Sequence, residues 1–297
     1  MKTFASTKTY CLQQFGQKAY KLALSASRSC PNRDGTCGRG GCIFCSEGGS
    51  GDFAQSAALP VGEQISRAIA FLGQKAAGRA YIAYFQSFTA TYGDLPELFA
   101  RYREAAEDPR IAAVSLATRP DCLGPEVMAE LRALAAVKPL WIELGLQTMH
   151  ERTAKLIGRG YPLEVYDDAM ARLKELGVHR ITHVILGLPG ETRKDMLETV
   201  KYAGALTDGI KLQLLHVLRG TPLEEMFRSG AYSPLTLEEY VDLLADALAV
   251  LPEDVVIHRI TGDGPKNKLL APSWSGDKKR VLNTIKKALR QKGFIID

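Results

Sequence analysis

The sequence predicts an α/β fold built on a parallel sheet, open or curled into a barrel. Three observations carry this. Apolar runs of strand length alternate with segments of helical periodicity from about residue 60 to residue 260. Alternation of this length implies parallel strands joined by right-handed crossovers. The predicted strands also finish in polar clusters, at the end of the sheet where such folds place their chemistry. The 297 residues, 46% of them hydrophobic, suffice for one large domain or two smaller ones.

Residues 1–29 read as a lead-in in which FGQKAYKLALSAS has helix or strand character. Cys11 stands alone there and reads as a small packed hydrophobe. After a cysteine-rich loop, Val61 to Ala76 has helical periodicity, Ala80 to Phe85 is a short β-rich run, and Leu95 to Glu107 is helical. Ile111 to Ala117 is a buried-strand run, followed by a helix over Pro125 to Ala136 and a strand over Pro139 to Leu146. Helices at His150 to Ile157 and Leu163 to Leu176 lead to a strand at Arg180 to Leu186. A helix from Glu191 to Leu206, a strand from Ile210 to Leu218, a helix from Thr236 to Leu251 and a strand from Val255 to Ile260 complete the alternation. The polar strand ends are Gln86-Ser87-Phe88-Thr89, Thr118-Arg119-Pro120-Asp121, Gln147-Thr148, Gly187 to Gly190, His216 with Arg219 to Pro222, and His258-Arg259 with Thr261 to Gly264.

Within these strands Glu143 is unusual, because a carboxylate among Trp, Ile, Leu and Gly is costly without a partner. It is expected to face the barrel lumen and pair with Arg119 or Arg180, in a structural or a catalytic role. His216 and His258, at strand ends, are candidate substrate contacts, whereas His150 and His179 are expected to cap or solvate helix boundaries. The lead-in holds no apolar run of secretory length and no segment is long enough to cross a bilayer, so a reducing cytoplasm is the expected compartment. A net charge of +5 says little about partners by itself.

Four of the six cysteines, Cys30, Cys37, Cys42 and Cys45, lie within CPNRDGTCGRGGCIFCSEGG. Thiolates concentrated like this point to metal or an iron–sulfur cluster rather than to disulfides. Four of them suit tetrahedral zinc, and three would leave one iron of a [4Fe–4S] cube open to another ligand. Spacing alone leaves both readings standing, with Cys37 the ambiguous residue.

The chain resembles radical S-adenosylmethionine (radical SAM) proteins, and more closely the YtqA/YhcC-type family, whose core is similar to that of the Elongator catalytic subunit. The resemblance is carried by Cys30-PNRDG, by Gly40-Gly41-Cys42-Ile43-Phe44-Cys45, and by YFQSFTATY from Tyr84. It continues through ATRPDCL from Ala117, ELGLQT from Glu143, LGLPGET from Leu186 and HRITGDGPKNKLLAP from His258. It implies a partial (β/α)6-type radical SAM barrel over residues 30–260, with the cluster loop at 30–49 and a basic C-terminal helical extension at 261–297. Cys30, Cys42 and Cys45 are then the ligands of a [4Fe–4S] cluster, in C-x11-C-x2-C rather than the usual C-x3-C-x2-C spacing, and Cys37 is not a ligand.

The resemblance further implies that S-adenosylmethionine is the second cofactor, cleaved reductively on the open iron. Phe44 would lie beside its adenine, and Gln86 and Thr89 near its amino group, with Thr118 and Arg119 ending the next strand. The Gln147 and Arg159 spacing is similar to that of the oxygen-independent coproporphyrinogen oxidase branch, where both touch S-adenosylmethionine; a guanidinium suits the methionyl carboxylate. In that branch an aspartate binds the ribose where this chain has His183.

From Val255 to Asp297 ten Lys or Arg stand against three acids, a local balance of +7. Val281, Leu282, Ile285 and Leu289 form one helical stripe, leaving most lysines opposite. Such a face suits a phosphate backbone, with Lys266, Lys268, Lys278, Lys279 and Arg280 as candidate contacts and Trp274 either stacking a base or anchoring the tail. Together with the resemblance to Elongator this implies a tRNA partner and modification of the C5 side chain of the wobble uridine, as a carboxymethylaminomethyl to aminomethyl step. An external electron donor of flavodoxin or ferredoxin type is implied as well. The chain has no room for an acetyltransferase domain like Elongator's. A radical SAM enzyme acting on a small molecule or protein, and a non-catalytic zinc or iron–sulfur nucleic-acid-binding module, are the alternatives.

Overall fold

The computed structural model describes residues 1–49, 51–76, 79–262 and 264–297, without the side chain of Lys75. Asp263, within one of the polar strand ends, lies outside the described residues. The chain opens with β1 (Lys2–Phe4) and α1 (Thr7–Phe15), whose first turn is capped by the Ser6 side chain accepting from the Thr9 amide. The repeating part runs β2 (Ala19–Leu24), α2 (Val61–Leu72), β3 (Ala80–Phe85), α3 (Leu95–Glu107), β4 (Ile111–Thr118), α4 (Pro125–Val137) and β5 (Leu140–Gln147). It continues through α5 (Glu151–Leu156), α6 (Leu163–Leu176), β6 (His179–Leu186), α7 (Arg193–Leu206) and β7 (Gly209–Leu214). The last elements are β8 (Val217–Leu218), α8 (Pro222–Arg228), α9 (Leu237–Val250), β9 (Val256–Arg259), β10 (Leu269–Ala271), α10 (Lys278–Gln291) and β11 (Phe294–Ile296).

Seven strands form one parallel sheet in the order β2-β3-β4-β5-β6-β7-β9. Among the described residues β2 and β9 do not pair, so the sheet is a curled half-barrel. Six of these strands are the ones expected from sequence. The seventh, β2, lies inside the segment 1–29 read as a lead-in, so the sheet begins ahead of residue 30. The run expected as one strand from Ile210 to Leu218 is broken at Leu215-His216, and β8 leaves the sheet to pair antiparallel with β10.

Alternation along each strand sorts the side chains. On β5, Leu140, Ile142, Leu144 and Leu146 point outward into the core shared with the helices, whereas Glu143, Gly145 and Gln147 line the lumen. The lumen is layered like other parallel barrels. Its lowest layer is apolar: Ile82, Ala113, Trp141 and Ile181 close on Cys11 from α1, with Tyr10 and Phe15 against them. The N-terminal helix therefore plugs the floor, and everything above it opens toward the carboxyl ends of the strands.

A layered cavity beneath the cysteine loop

A single cavity of about 1180 Å³ fills the half-barrel above the floor. Cys30, Cys42 and Cys45 line its upper end; Cys37 and Cys122 do not. Cys37 is exposed, its sulfur 3.9 Å from Asp121 Oδ2. Short internal contacts hold the cysteine loop. The Asn32 amide donates to the Gly158 carbonyl and, at 3.4 Å, to Cys42 Sγ. The Arg33 guanidinium donates to the carbonyls of Cys45 and Ser46 while stacking over Phe88. A Cβ at Gly49 would come within 2.3 Å of the Phe88 ring, so only glycine lets the loop close on the end of β3.

Among the described residues no three cysteine sulfurs lie within 4.8 Å of one another. Thiolates around one zinc sit about 3.8 Å apart, given Zn–S bonds of about 2.3 Å. Cys30, Cys42 and Cys45 nonetheless face one common cavity, the shared space that three thiolates holding one group require. Burial, and the neighbouring Cys45, push the Cys42 thiol up to about 11. Without a cationic centre beside it, Cys42 is a neutral thiol at pH 7.

The residues expected to hold S-adenosylmethionine divide into two groups. Phe44, Gln86, Thr89, Thr118, Arg119, Gln147, Arg159 and His183 all line the cavity. Gln147 does so with a left-handed backbone (φ 63°) and its amide folded over Gly145, a conformation that costs a non-glycine residue on the order of 1 kcal/mol. Arg159, however, is 1% exposed, neither a solvated helix residue nor a free clamp. Its Nε donates to Tyr161 O at 2.9 Å, Nη1 to Thr148 O at 2.7 Å, and Nη2 to Glu151 Oε1 at 2.7 Å. The fork is thus engaged in holding the turn after β5. Arg119 is likewise engaged, bidentate on Asp121 at 2.9 and 2.7 Å and donating to Arg159 O at 2.8 Å.

Below them lies a charged layer that the sequence reading placed only in part. Glu143 is fully buried and accepts from four groups: Lys21 Nζ (2.5 Å) and Ser115 Oγ (2.7 Å) on Oε1, and His183 Nε2 (2.7 Å) and Lys211 Nζ on Oε2. These replace the expected partners, since Arg119 is taken by Asp121 and Arg180 pairs with Asp208 at 2.6 Å. Burial would raise the Glu143 pKa, but Lys21 and Lys211 hold it well below the ordinary carboxylate value. Burial, and then Lys211, bring His183 down to about 4, so it is neutral at pH 7 and donates through Nε2–H. With its Nε2 on Glu143, His183 does not offer that atom to a ribose. Lys211 also donates to Tyr84 Oη at 3.0 Å, and Arg259 completes the layer from β9.

The histidines separate as well. His216 lines the cavity, packed on Gly262. His258 does not: it sits in the floor, 2.9 Å from His179 Nε2, with Thr7 and the Trp141 ring around it. His179 stacks on Tyr10 in the same cluster, so it is half-buried in the floor rather than solvated at a helix end. In the C-terminal segment Lys266 and Lys278 reach the cavity wall, while Lys268 is paired with Asp52 at 3.0 Å. Trp274 anchors the tail, donating to Leu235 O at 3.1 Å and packing against Tyr240. Lys279 and Arg280 are exposed on α10.

Sequence reasoning missed Lys21, Lys211, Asn32 and the rim aromatics Phe53 and Phe71, and named Arg259 only as part of a polar strand end. The first two had a signal: in AYKLAL and GIKLQL the lysine occupies the register between outward-facing apolar residues, Tyr20 and Leu22 in one and Ile210 and Leu212 in the other.

A parallel half-barrel whose carboxyl ends carry three clustered cysteines over a deep cavity defines a cofactor-dependent enzyme of the open-cluster kind. Residues 27–203 match the Radical SAM superfamily and residues 207–291 match the Radical_SAM C-terminal domain. The chain belongs to the radical SAM superfamily, whose members use a [4Fe–4S] cluster and S-adenosylmethionine. It is 40% identical over 293 residues to YtqA of Bacillus subtilis, covering 98% of this chain and 91% of that one. A tRNA uridine(34) acetyltransferase of Methanocaldococcus jannaschii is 30% identical over 169 residues, 56% of this chain and 30% of its own. The structure of the archaeal Methanocaldococcus infernus Elp3 with an N-terminal deletion superposes with a TM-score of 0.67 at 18% identity, covering 93% of this chain and 63% of that chain. No helix among the described residues is long and apolar enough to cross a membrane.

Proposed function

We propose that this radical SAM enzyme modifies tRNA at the C5 side chain of the wobble uridine, converting a carboxymethylaminomethyl group to aminomethyl. The observation that carries the reading is the mouth of the cavity. Phe71, 89% exposed, and Phe53, 58% exposed, both line it, together with Arg33, Lys266 and Lys278. Exposed aromatic rings beside cations suit unstacked bases and the phosphates between them. Beyond the mouth, the exposed face of α10 offers Lys279, Arg280, Lys286, Lys287 and Arg290 to the backbone, while Val281, Ile285 and Leu289 pin the helix to the body. The M. jannaschii relative, by its name, acts on uridine 34 of tRNA.

Cys30, Cys42 and Cys45 would hold the cluster, and the chemistry supplied by the bound pair of cofactors is reductive cleavage of the sulfonium to a carbon radical that takes hydrogen from substrate. The protein's own part is positional. Asn32 and Arg33 fix the cysteine loop, Phe44, Gln86, Gln147 and Thr89 supply the upper wall, and the plugged floor excludes water from below. The electron donor in this reading is a flavodoxin or ferredoxin and the compartment the cytoplasm, where the exposed Cys37 thiol stays reduced.

The test is anaerobic iron–sulfur reconstitution, then S-adenosylmethionine cleavage with and without bulk tRNA. Formation of 5′-deoxyadenosine that rises with tRNA, vanishes in Cys42→Ala and persists in Cys37→Ala is expected. Cleavage indifferent to tRNA would move the reading to a small-molecule or protein substrate, and a wild type that binds zinc and never cleaves would defeat it.

A further inference from the structure

The charged layer is unbalanced. Glu143 already accepts from four donors, so its charge is consumed within the layer. Arg259 lines the same cavity, and among the described residues its guanidinium makes no hydrogen bond or ion pair. Even if Lys211 is neutral, Lys21 and Arg259 against Glu143 leave one positive charge at the closed end of the cavity; with Lys211 charged they leave two. Lys211 feels this balance: burial lowers its pKa, Glu143 beside it raises it, and Lys21 and Arg259 lower it again. A half-buried guanidinium with no carboxylate partner among the described residues is a costly arrangement unless a ligand supplies one.

We infer that this layer is a subsite for a carboxylate of the substrate, held by Arg259 with Lys21 beside it. The inference rests on the proposed function and names what that reading lacks, namely how the substituent to be processed is told from the product. The layer of Lys21, Lys211 and Arg259 lies one step of the barrel below the layer of Ala23, Gln86 and Gln213, about 7 Å at two residues per step. A carboxymethyl arm directed down the lumen would place its carboxylate there, while the base stays under the cysteine loop. The aminomethyl product keeps the ammonium but has lost the carboxylate, so its arm goes from net zero to +1, which the same surplus of positive charge disfavours; the layer both recruits substrate and expels product.

Arg259 can be changed without orphaning a buried acid, which makes it the residue to test. Reconstituted holoenzyme with S-adenosylmethionine is titrated with three anticodon stem-loops carrying carboxymethylaminomethyluridine, aminomethyluridine or uridine at the wobble position. Wild type is expected to bind the first about tenfold more tightly than the others, the value of one charge-assisted bidentate contact. Arg259→Gln should erase the difference by weakening only the first, Arg259→Lys should restore part of it, and thermal midpoints should stay within a degree or rise.

An RNA-free arm separates this idea from the one it rests on. Saturable broadening of ¹³C-carboxylate N-methylglycine by wild type, lost in Arg259→Gln, is expected. If that binding is seen but no stem-loop is preferred, the tRNA reading fails and the subsite stands. If the stem-loops stimulate cleavage yet neither assay distinguishes Arg259→Gln from wild type, the subsite is wrong and the tRNA reading stands.

Discussion

Replacing Glu143 by Gln tests the logic of the lumen most directly. The side chain keeps its shape but loses the charge that balances Lys21 and Lys211, and its amide cannot accept from Lys21, Ser115, His183 and Lys211 at once. Breaking a buried ion pair by removing one partner costs about 3–5 kcal/mol, because the remaining charge stays buried and uncompensated. With an unfolding entropy of about 2.1 cal/mol/K per residue, a chain of 297 residues loses about 0.6 kcal/mol per degree, so the thermal midpoint should fall by about 5–8 °C. Lys211→Met should cost less, since Glu143 retains Lys21, Ser115 and His183. The double variant Glu143→Gln/Lys211→Met should recover much of the loss, with a coupling of about 1–3 kcal/mol. Calorimetry of the three variants is the assay. A Glu143→Gln midpoint equal to wild type, or a double variant equal to the sum of the singles, would refute the reasoning.

The floor histidines His179 and His258, with His183 in the charged layer above them, make stability depend on pH. Burial brings His179 and His183 down to about 4 and His258 well below its usual value, whereas the unfolded chain takes up those protons near 6.5. The unfolded state therefore binds more protons between these values, and stability should be complete above pH 6.5 and fall toward pH 4, by at most about 3 kcal/mol per histidine. Urea midpoints that do not change between pH 7.5 and 5 would contradict it. Arg159→Lys, which strips donors from Tyr161 and Thr148 carbonyls, should lower stability by about 2–4 kcal/mol while changing S-adenosylmethionine affinity less; the reverse order would reinstate Arg159 as a cofactor ligand. Phe71→Ser, on an exposed ring, should leave the thermal midpoint unchanged and weaken tRNA binding about tenfold, as loss of one stacked base does.

Much of the fold was legible because the strands are short apolar, β-rich runs, as in Ala80–Phe85, and the helices are apolar on one side, as in Leu95–Glu107 and Leu163–Leu176. β2 was obscured by the same rule that exposes the others. Its inward residue is Lys21, which reads as solvent-facing until a buried partner 122 residues away gives it a reason to point in. Glu143 was conspicuous for its cost, but its partners were not, because ion pairing across a barrel depends on register between strands distant in sequence. Arg159 shows the opposite limit: a residue can line a cavity and still spend its donors on the backbone, and only the hydrogen bonds distinguish the two. The short elements β8, β10 and β11 have no periodicity long enough to detect.

Among the described residues β1 pairs with β11 alone, in parallel register from Lys2 opposite Phe294 to Phe4 opposite Ile296, and between them these strands and α1 finish the underside of the barrel. During synthesis the first strand waits for the last. At about 5–20 residues per second the delay is roughly 15–60 s, during which the plug has no clasp and the apolar underside lies open to chaperones. Ribosome-bound chains arrested before residue 290 should therefore be cut by protease within α1 while the middle of the sheet resists. Emergence of β11, rather than formation of the sheet, then becomes the event that seals the interior.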